Sequence, residues 1–264
     1  MRATWATRLL GELEHVPVAT VHLAPSWFRS EHLAPSIGPL GHLEHAPRFV
    51  KRALWWLMDR RFLDPLFTAP FNALRAELHL PALQRMFHSW LHEADLTLGL
   101  FPEWFAPRQP DWPAAVQLAG FPLYDHGGDA PLPPEVERML DAGEAPVVFT
   151  AGTANASSHV FFETSVRASQ RAGRRAILIT QDASQLPAPL PAGIAHFSYV
   201  PFKALLPRAA AFVHHGGIGT TSQALLAGVP QLVRPMGFDQ FDNARRVMTL
   251  DRKSTRLNSS HANV

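Results

Sequence analysis

The sequence predicts an α/β protein of two lobes, each built on a parallel sheet. Three observations carry this. From residue 146 to 250 short apolar runs alternate with stretches of helical spacing, the signature of parallel strands with helices on both faces. Earlier apolar runs, VPVATVHLA, ADLTLGLF and VQLAGFPL, are set apart by helical segments. Between the two sets lies YDHGGDAPLPP, residues 124–134, whose Gly, Pro and Asp content marks a linker. The reading is a first lobe over 1–123, a linker over 124–134 and a second lobe over 135–250.

The elements follow in order. Residues 16–24 read as a buried strand ending at Pro25, and residues 27–46 as irregular. Residues 48–94 read as helical, through RFVKRALWWLMDRRFLDPLF, FNALRAELHL and LQRMFHSWLHEA, punctuated by Pro65, Pro70 and Pro81. Residues 94–101 and 116–123 are strand-like. PEVERMLDAG is a short helix ending at Gly143, and APVVFTAGTA is a strand running into a Gly/Thr turn. FFETSVRASQRAG is a helix closed by Gly173. RRAILITQ and IAHFSYV are strands, KALLPRA is a short helix, and AAFVHH is a strand. TTSQALLAG is a helix ending at Gly228, PQLVRP a strand, and 240–250 the start of another helix.

Composition narrows the function. Of 264 residues 47% are hydrophobic and 17% charged, which suits a folded domain and excludes a disordered chain. The absence of cysteine excludes disulfides and thiolate metal sites. No apolar run approaches the roughly 20 residues that span a bilayer, and the N-terminus lacks a signal-peptide layout, so a cytoplasmic protein is expected. The formal charge is +2, and −1 without Arg252, Lys253 and Arg256, so charge gives no support to nucleic-acid binding.

The densest chemistry stands in FVHHGGIGTTSQALLAGVP, residues 212–230. Phe212 and Val213 close a strand, so His214 and His215 fall at its carboxyl edge, where parallel sheets bind ligands. Gly216, Gly217 and Gly219 let the backbone turn tightly and approach a ligand. Thr220 and Thr221 open the next helix, whose unpaired N–H groups and dipole attract anions. This is the build of a phosphate site. From spacing alone, a tight turn whose glycines only pack is an equal alternative. No Lys follows the glycines, so it is not a Walker loop. Adjacent histidines point to opposite sides of a strand, so they do not share a metal and at most one faces a ligand. Downstream, in VRPMGFDQFDNARRV, Asp239 and Gln240 follow the next strand on the same rim. Such a pair can hold several sugar hydroxyls; read alone, Asp239 is first of all a helix N-cap.

HHGGIGTTSQALLAGVPQLVRPMGFDQFDNA, residues 214–244, resembles the donor-binding signature of the GT-B nucleotide-sugar-dependent glycosyltransferases. That branch includes bacterial macrolide and glycopeptide glycosyltransferases, sterol glucosyltransferases and UDP-glucuronosyltransferases. A weaker resemblance runs through nearly all of residues 1–250. It implies two Rossmann-like lobes, an incomplete acceptor lobe first and a donor lobe second. It implies that His215 contacts the donor diphosphate, with His214 a neighbour. Gly217, Gly219 and Thr220 would offer donors to the phosphates, and Asp239 and Gln240 would hold the donor sugar. Gly152 and Thr153 would approach the nucleotide, while Tyr199, Val200 and Pro201 would seat the base, with Tyr199 stacking on it. Gln223 stands where many members carry a ribose-binding glutamate. The implied reaction moves a hexose, with inversion, from a UDP- or TDP-sugar to an acceptor hydroxyl. Neither metal nor cofactor is implied, and the sequence has no Asp-x-Asp motif.

The resemblance also has gaps. The family's general base is a histidine near the start of the acceptor lobe, and VPVATVHLAPS matches a strand well past it. His15, His22 and His32 lie outside that context, and His22 reads as structural, so no base is named. The family's last helix, which crosses back to the acceptor lobe, has no counterpart after Leu250. From Arg252 the chain turns polar, and RKSTRLNSSH resembles adaptor-derived sequence, so residues 251–264 are expected to be a non-native tail. The expectation is a fragment that alone binds donor weakly and does not turn over. A non-catalytic nucleotide-sugar-binding protein and a GT-B sugar-nucleotide epimerase are the alternatives.

Trp55, Trp56, Phe62, Phe87 and Trp90 recur among Arg and Lys in the helical region. An amphipathic pair packed on the first sheet is the leading reading. A pocket for a hydrophobic acceptor, or a patch for peripheral membrane contact, is the other.

Overall fold

The computed structural model describes residues 5–36, 45–125, 130–153 and 158–254, with side chains to Leu250. The chain divides into two compact units between Phe121 and Pro122. Of the expected linker, residues 126–129 lie outside the described residues, as do 255–264 of the expected tail.

The first unit opens with helix α1 (Trp5–Glu14) and strand β1 (Ala19–His22). A continuous helical rod follows: α2 (Arg48–Met58), a wide π-helical segment (Asp59–Thr68) and α3 (Ala69–Glu77). Pro65 was expected to punctuate this rod and does not end it. The π segment bonds five residues back, as from the Ala69 N–H to the Asp64 carbonyl, and its wider turn carries the proline. Strands β2 (Leu96–Gly99) and β3 (Val116–Leu118) complete a parallel sheet in the order β1-β2-β3, with Ala19 opposite Leu96 and Gly99 opposite Leu118.

The helix expected through LQRMFHSWLHEA does not form. Turns occupy it, with one 3-10 turn at Trp90–His92. Arg85 takes a left-handed φ of 54°, which interrupts a helix. The Asn72 amide also diverts Leu83 from helical bonding, donating to its carbonyl at 3.0 Å and accepting from its N–H at 2.8 Å. Trp90 packs with Leu9, Phe71, Met86 and Leu91 in the core of the unit. Trp56 and Phe62 instead stand exposed on the rod. The aromatic positions therefore split between core and surface.

The second unit holds α4 (Pro134–Asp141), β4 (Val147–Thr150), α5 (His159–Arg171), β5 (Ala176–Ile179), β6 (Ile194–Phe197) and α6 (Phe202–Leu205). Then come β7 (Ala211–His214), α7 (Ile218–Ala227), β8 (Gln231–Val233) and α8 (Gln240–Ser254). Among the described residues all five strands of this unit are parallel, in the order β6-β5-β4-β7-β8. Period-2 alternation divides the apolar residues between two faces. Val148, Ile177 and Phe212 pack with Val136, Leu205 and Ala224 on one. Phe149 and Leu178 pack with Phe161, Phe162 and Val166 on the other, joined by Val213. A buried side chain of this size stabilises by about 1.5–3 kcal/mol. The glycines read as helix stops serve as such: Gly173 and Gly228 are left-handed, at φ 62° and 64°. Among the described residues no helix is long and apolar enough to cross a membrane.

Candidate nucleotide-sugar site

The order of the second sheet fixes where a ligand can enter. The chain runs outward from β4 through β5 to β6, then returns to the other side of β4 as β7. The loops after β4 and β7 therefore part at the carboxyl edge, the switch point at which open parallel sheets bind ligands. Thr150 and His214 are register partners, so Gly152 and His215 leave adjacent strands side by side.

His214 and His215 have separate tasks. His214 shares a face with Phe212, stacks on its ring at 4.8 Å, and is fully buried. Its Nε2 pairs with Gln231 Oε1 at 3.0 Å, and its Nδ1 accepts the Gly216 N–H at 3.1 Å. Both ring nitrogens thus hold the turn. The His215 ring lies where side chains at two glycines would stand. A Cβ at Gly152 would be 2.4 Å from His215 Cε1, and a Cβ at Gly217 2.4 Å from its Nε2. Gly152 is also left-handed, at φ 77°. Burial pushes the His215 imidazole down to about 4, so it is neutral at pH 7, and its Nδ1 is buried without a partner among the described residues.

Gly217 is the N-cap of α7, and the first in-helix bond runs from Thr221 N–H to Gly217 O. The N–H groups of Gly219 and Thr220 precede it in the first turn. Gly219 is exposed with open space at its Cβ position, so nothing among the described residues requires glycine there. The Ile218 N–H acts on the Asp239 carboxylate instead. Burial raises the Asp239 carboxyl above its ordinary value, while Asn243 and Ile218 work against that rise.

Two of the expected residues also have partners within the protein. The Gln240 side chain was expected to hold sugar hydroxyls. It is buried, and its Oε1 accepts the N–H groups of Met236 at 2.7 Å and Gly237 at 3.0 Å, which makes it a loop clamp. Val200 was expected against the base. Its side chain lies in the core with Leu205 and Phe212, so only its backbone can meet a ligand. Thr153 is exposed in the bend after β4, and Thr220 is half-buried in the first turn of α7.

Tyr199 and Gln223 converge on consecutive residues. The Tyr199 hydroxyl donates to Asp125 Oδ1 at 2.6 Å, the Lys203 N–H to Asp125 Oδ2 at 3.0 Å, and Gln223 Nε2 to the Tyr124 carbonyl at 3.2 Å. The sequence reading missed Asp125 and Asn243. Asn243 stands four residues after Asp239, on the same helical face, and that spacing was the available signal.

Residues 172–253 match the erythromycin biosynthesis protein CIII-like C-terminal domain, EryCIII-like for short. The match makes this segment similar to that family. The matched segment carries every expected donor residue from Tyr199 to Gln240, while Gly152 and Thr153 precede it. The chain is 31% identical to glycosyltransferase GtfE of Amycolatopsis orientalis over 256 residues, covering 95% of this chain and 59% of that protein. It therefore spans about three-fifths of the relative's length. Among solved structures it resembles the kitacinnamycin glycotransferase, with a TM-score of 0.68 and 21% identity, covering 94% of this chain and 59% of that one. It also resembles the glycosyltransferase VinC in complex with dTDP, with a TM-score of 0.56 and 24% identity, covering 92% and 54%. At these identities the likeness establishes the fold, which is that of the GT-B glycosyltransferases.

Proposed function

We propose that the protein is a glycosyltransferase that moves a hexose from a TDP- or UDP-sugar to a hydroxyl of a hydrophobic small molecule or lipid, with inversion and without a metal. The observation that carries this is the seat of His215 between Gly152 and Gly217, at the switch point and beside the open first turn of α7. Relatives named as glycosyltransferases, and a fold neighbour that holds dTDP, support the donor class. The exposed Phe49, Trp56, Phe62 and Leu66 along the rod of the first unit support an apolar acceptor.

In this reading the acceptor oxygen attacks the anomeric carbon. The bond from that carbon to the diphosphate oxygen breaks, and negative charge gathers on the leaving diphosphate. The N–H groups of Gly219 and Thr220, the α7 dipole and a His215 N–H receive that charge; fixed donors of this kind stabilise a leaving anion without reorganising. Asp239 accepts hydrogen bonds from the sugar, Tyr199 stacks on the base and Gln223 meets the ribose. The base that takes the acceptor proton is left unassigned.

Calorimetric titration with dTDP and with UDP tests the donor site. Saturable binding that weakens about tenfold or more in H215A is the expected result, the size of a lost charge-assisted hydrogen bond. A folded protein that gives no heat with either nucleotide overturns the reading.

A further inference from the structure

We infer that Asn243 is a positioning residue that locks the turn after β7 to the Asp239 carboxylate, so that diphosphate and sugar recognition share one support. The inference rests on the proposed donor site. Asn243 is fully buried in the first turn of α8. Its Nδ2 donates to the Gly216 carbonyl at 2.9 Å and to Asp239 Oδ2 at 2.8 Å. Both amide hydrogens are thereby committed, one to each half of the site.

The orientation of this amide is forced. Both partners are acceptors, so the nitrogen must face them, and Oδ1 is left buried without a partner among the described residues. Leaving a buried acceptor unpaired is unfavourable, so the two bonds made by the nitrogen outweigh it. The Gly216 carbonyl has little freedom to turn away. Gly216 is left-handed, at φ 90°, and a Cβ there would stand 2.6 Å from Val233 Cγ1 and 3.2 Å from the Gln240 carbonyl. Gly216 lies between His215 and the N-cap of α7. A shift of its peptide therefore moves the imidazole and the first-turn N–H groups together. Asp239, at the other end of the bridge, keeps one oxygen on Asn243. The charged neighbours are Asp242, held by Arg245 at 3.0 Å and Arg246 at 2.7 Å, and the histidines of the turn are neutral.

Two variants of the full chain, N243A and N243D, test this by calorimetry with dTDP and with dTDP-glucose. Circular dichroism verifies folding. N243A is expected to weaken both ligands about tenfold, since both halves lose their support. N243D is nearly isosteric and decides the matter where N243A does not fold. Near neutral pH its carboxylate faces the Asp239 carboxylate and the Gly216 carbonyl, so dTDP binding is weak. Acidification returns one O–H donor and restores affinity relative to wild type at the same pH, a response that a purely structural role would not produce. Folded variants that bind both ligands as wild type does overturn the inference and leave the donor site standing. A wild-type protein that binds neither ligand overturns both.

Discussion

The imidazole of His215 occupies the space that a side chain at Gly152 would need: a Cβ there would stand 2.4 Å from Cε1 and 2.5 Å from Nε2. Gly152 follows β4 and His215 follows β7, so this single contact joins the two loops at the switch point of the sheet.

Gly152→Ala is therefore expected to destabilise the protein and to displace His215. The left-handed φ of 77° costs an alanine about 1 kcal/mol, and the clash adds about 1–3 kcal/mol. Gly219→Ala is the contrasting substitution. That position is helical, with open space at its Cβ, so alanine is expected to stabilise by a few tenths to about 1 kcal/mol. It should nonetheless weaken dTDP binding if a phosphate approaches that backbone. Thermal melts of both variants with and without dTDP check the pair. Equal melting temperatures would remove the steric argument.

Acid should destabilise the protein through its histidines. Burial holds His214 and His215 down to about 4, while an unfolded histidine titrates near 6.5. The unfolded chain binds these protons first. Stability is thus fully present above about pH 6.5 and is lost as the pH falls toward 4, at up to about 1.4 kcal/mol per pH unit for each histidine. Burial also lowers His22 and His92 in the first unit, whose rings meet at 3.0 Å, and they add to the loss in the same window. Urea midpoints measured from about pH 7.5 down to about pH 4.5 should fall steadily. A flat profile would mean that the rings are exposed in solution.

Tyr199 offers a cleaner separation of binding from stability. The residue is 41% exposed, and its hydroxyl bonds to Asp125. Tyr199→Phe removes that bond and keeps the ring, so dTDP affinity should stay within about twofold. Tyr199→Ala removes the proposed base-stacking surface, of a kind worth about 1–3 kcal/mol, and affinity should fall at least tenfold. Equal affinities for the two variants would deny the ring any role.

Regular elements were legible in the second unit because each strand there is a short apolar run bounded by Gly or Pro. RRAILITQ after Gly173 and PQLVRP between Pro230 and Pro235 are examples. The first unit was harder to read because side chains there override local pattern. Asn72 takes both backbone groups of Leu83 and holds a turn where spacing alone indicated a helix. Within the site, the Gly-rich turn and the division of labour between the two histidines follow from strand alternation. The clamp made by Gln240 and the bridge made by Asn243 do not. They depend on how the first turn of α8 packs against loops distant in the chain, and no local period records that.

Gln223 provides a prediction with two effects of opposite sign. It is buried, and its amide donates to the Tyr124 carbonyl at 3.2 Å. Gln223→Glu introduces the residue type that the resemblance to GT-B glycosyltransferases implies at this place. A carboxylate cannot donate, so it would face the carbonyl with like partial charge, and losing a buried contact of this kind costs about 1–3 kcal/mol. The melting temperature of the nucleotide-free variant should drop. A ribose hydroxyl placed against the carboxylate would in turn donate a charge-assisted bond, roughly twice as strong as its neutral counterpart. Saturating dTDP should therefore raise the melting temperature of the variant by more than that of wild type. A variant with undiminished stability would show that the Tyr124 contact contributes nothing, and one with no added nucleotide shift would place the ribose elsewhere. The two readouts separate because one is measured without ligand and the other as the difference that ligand makes.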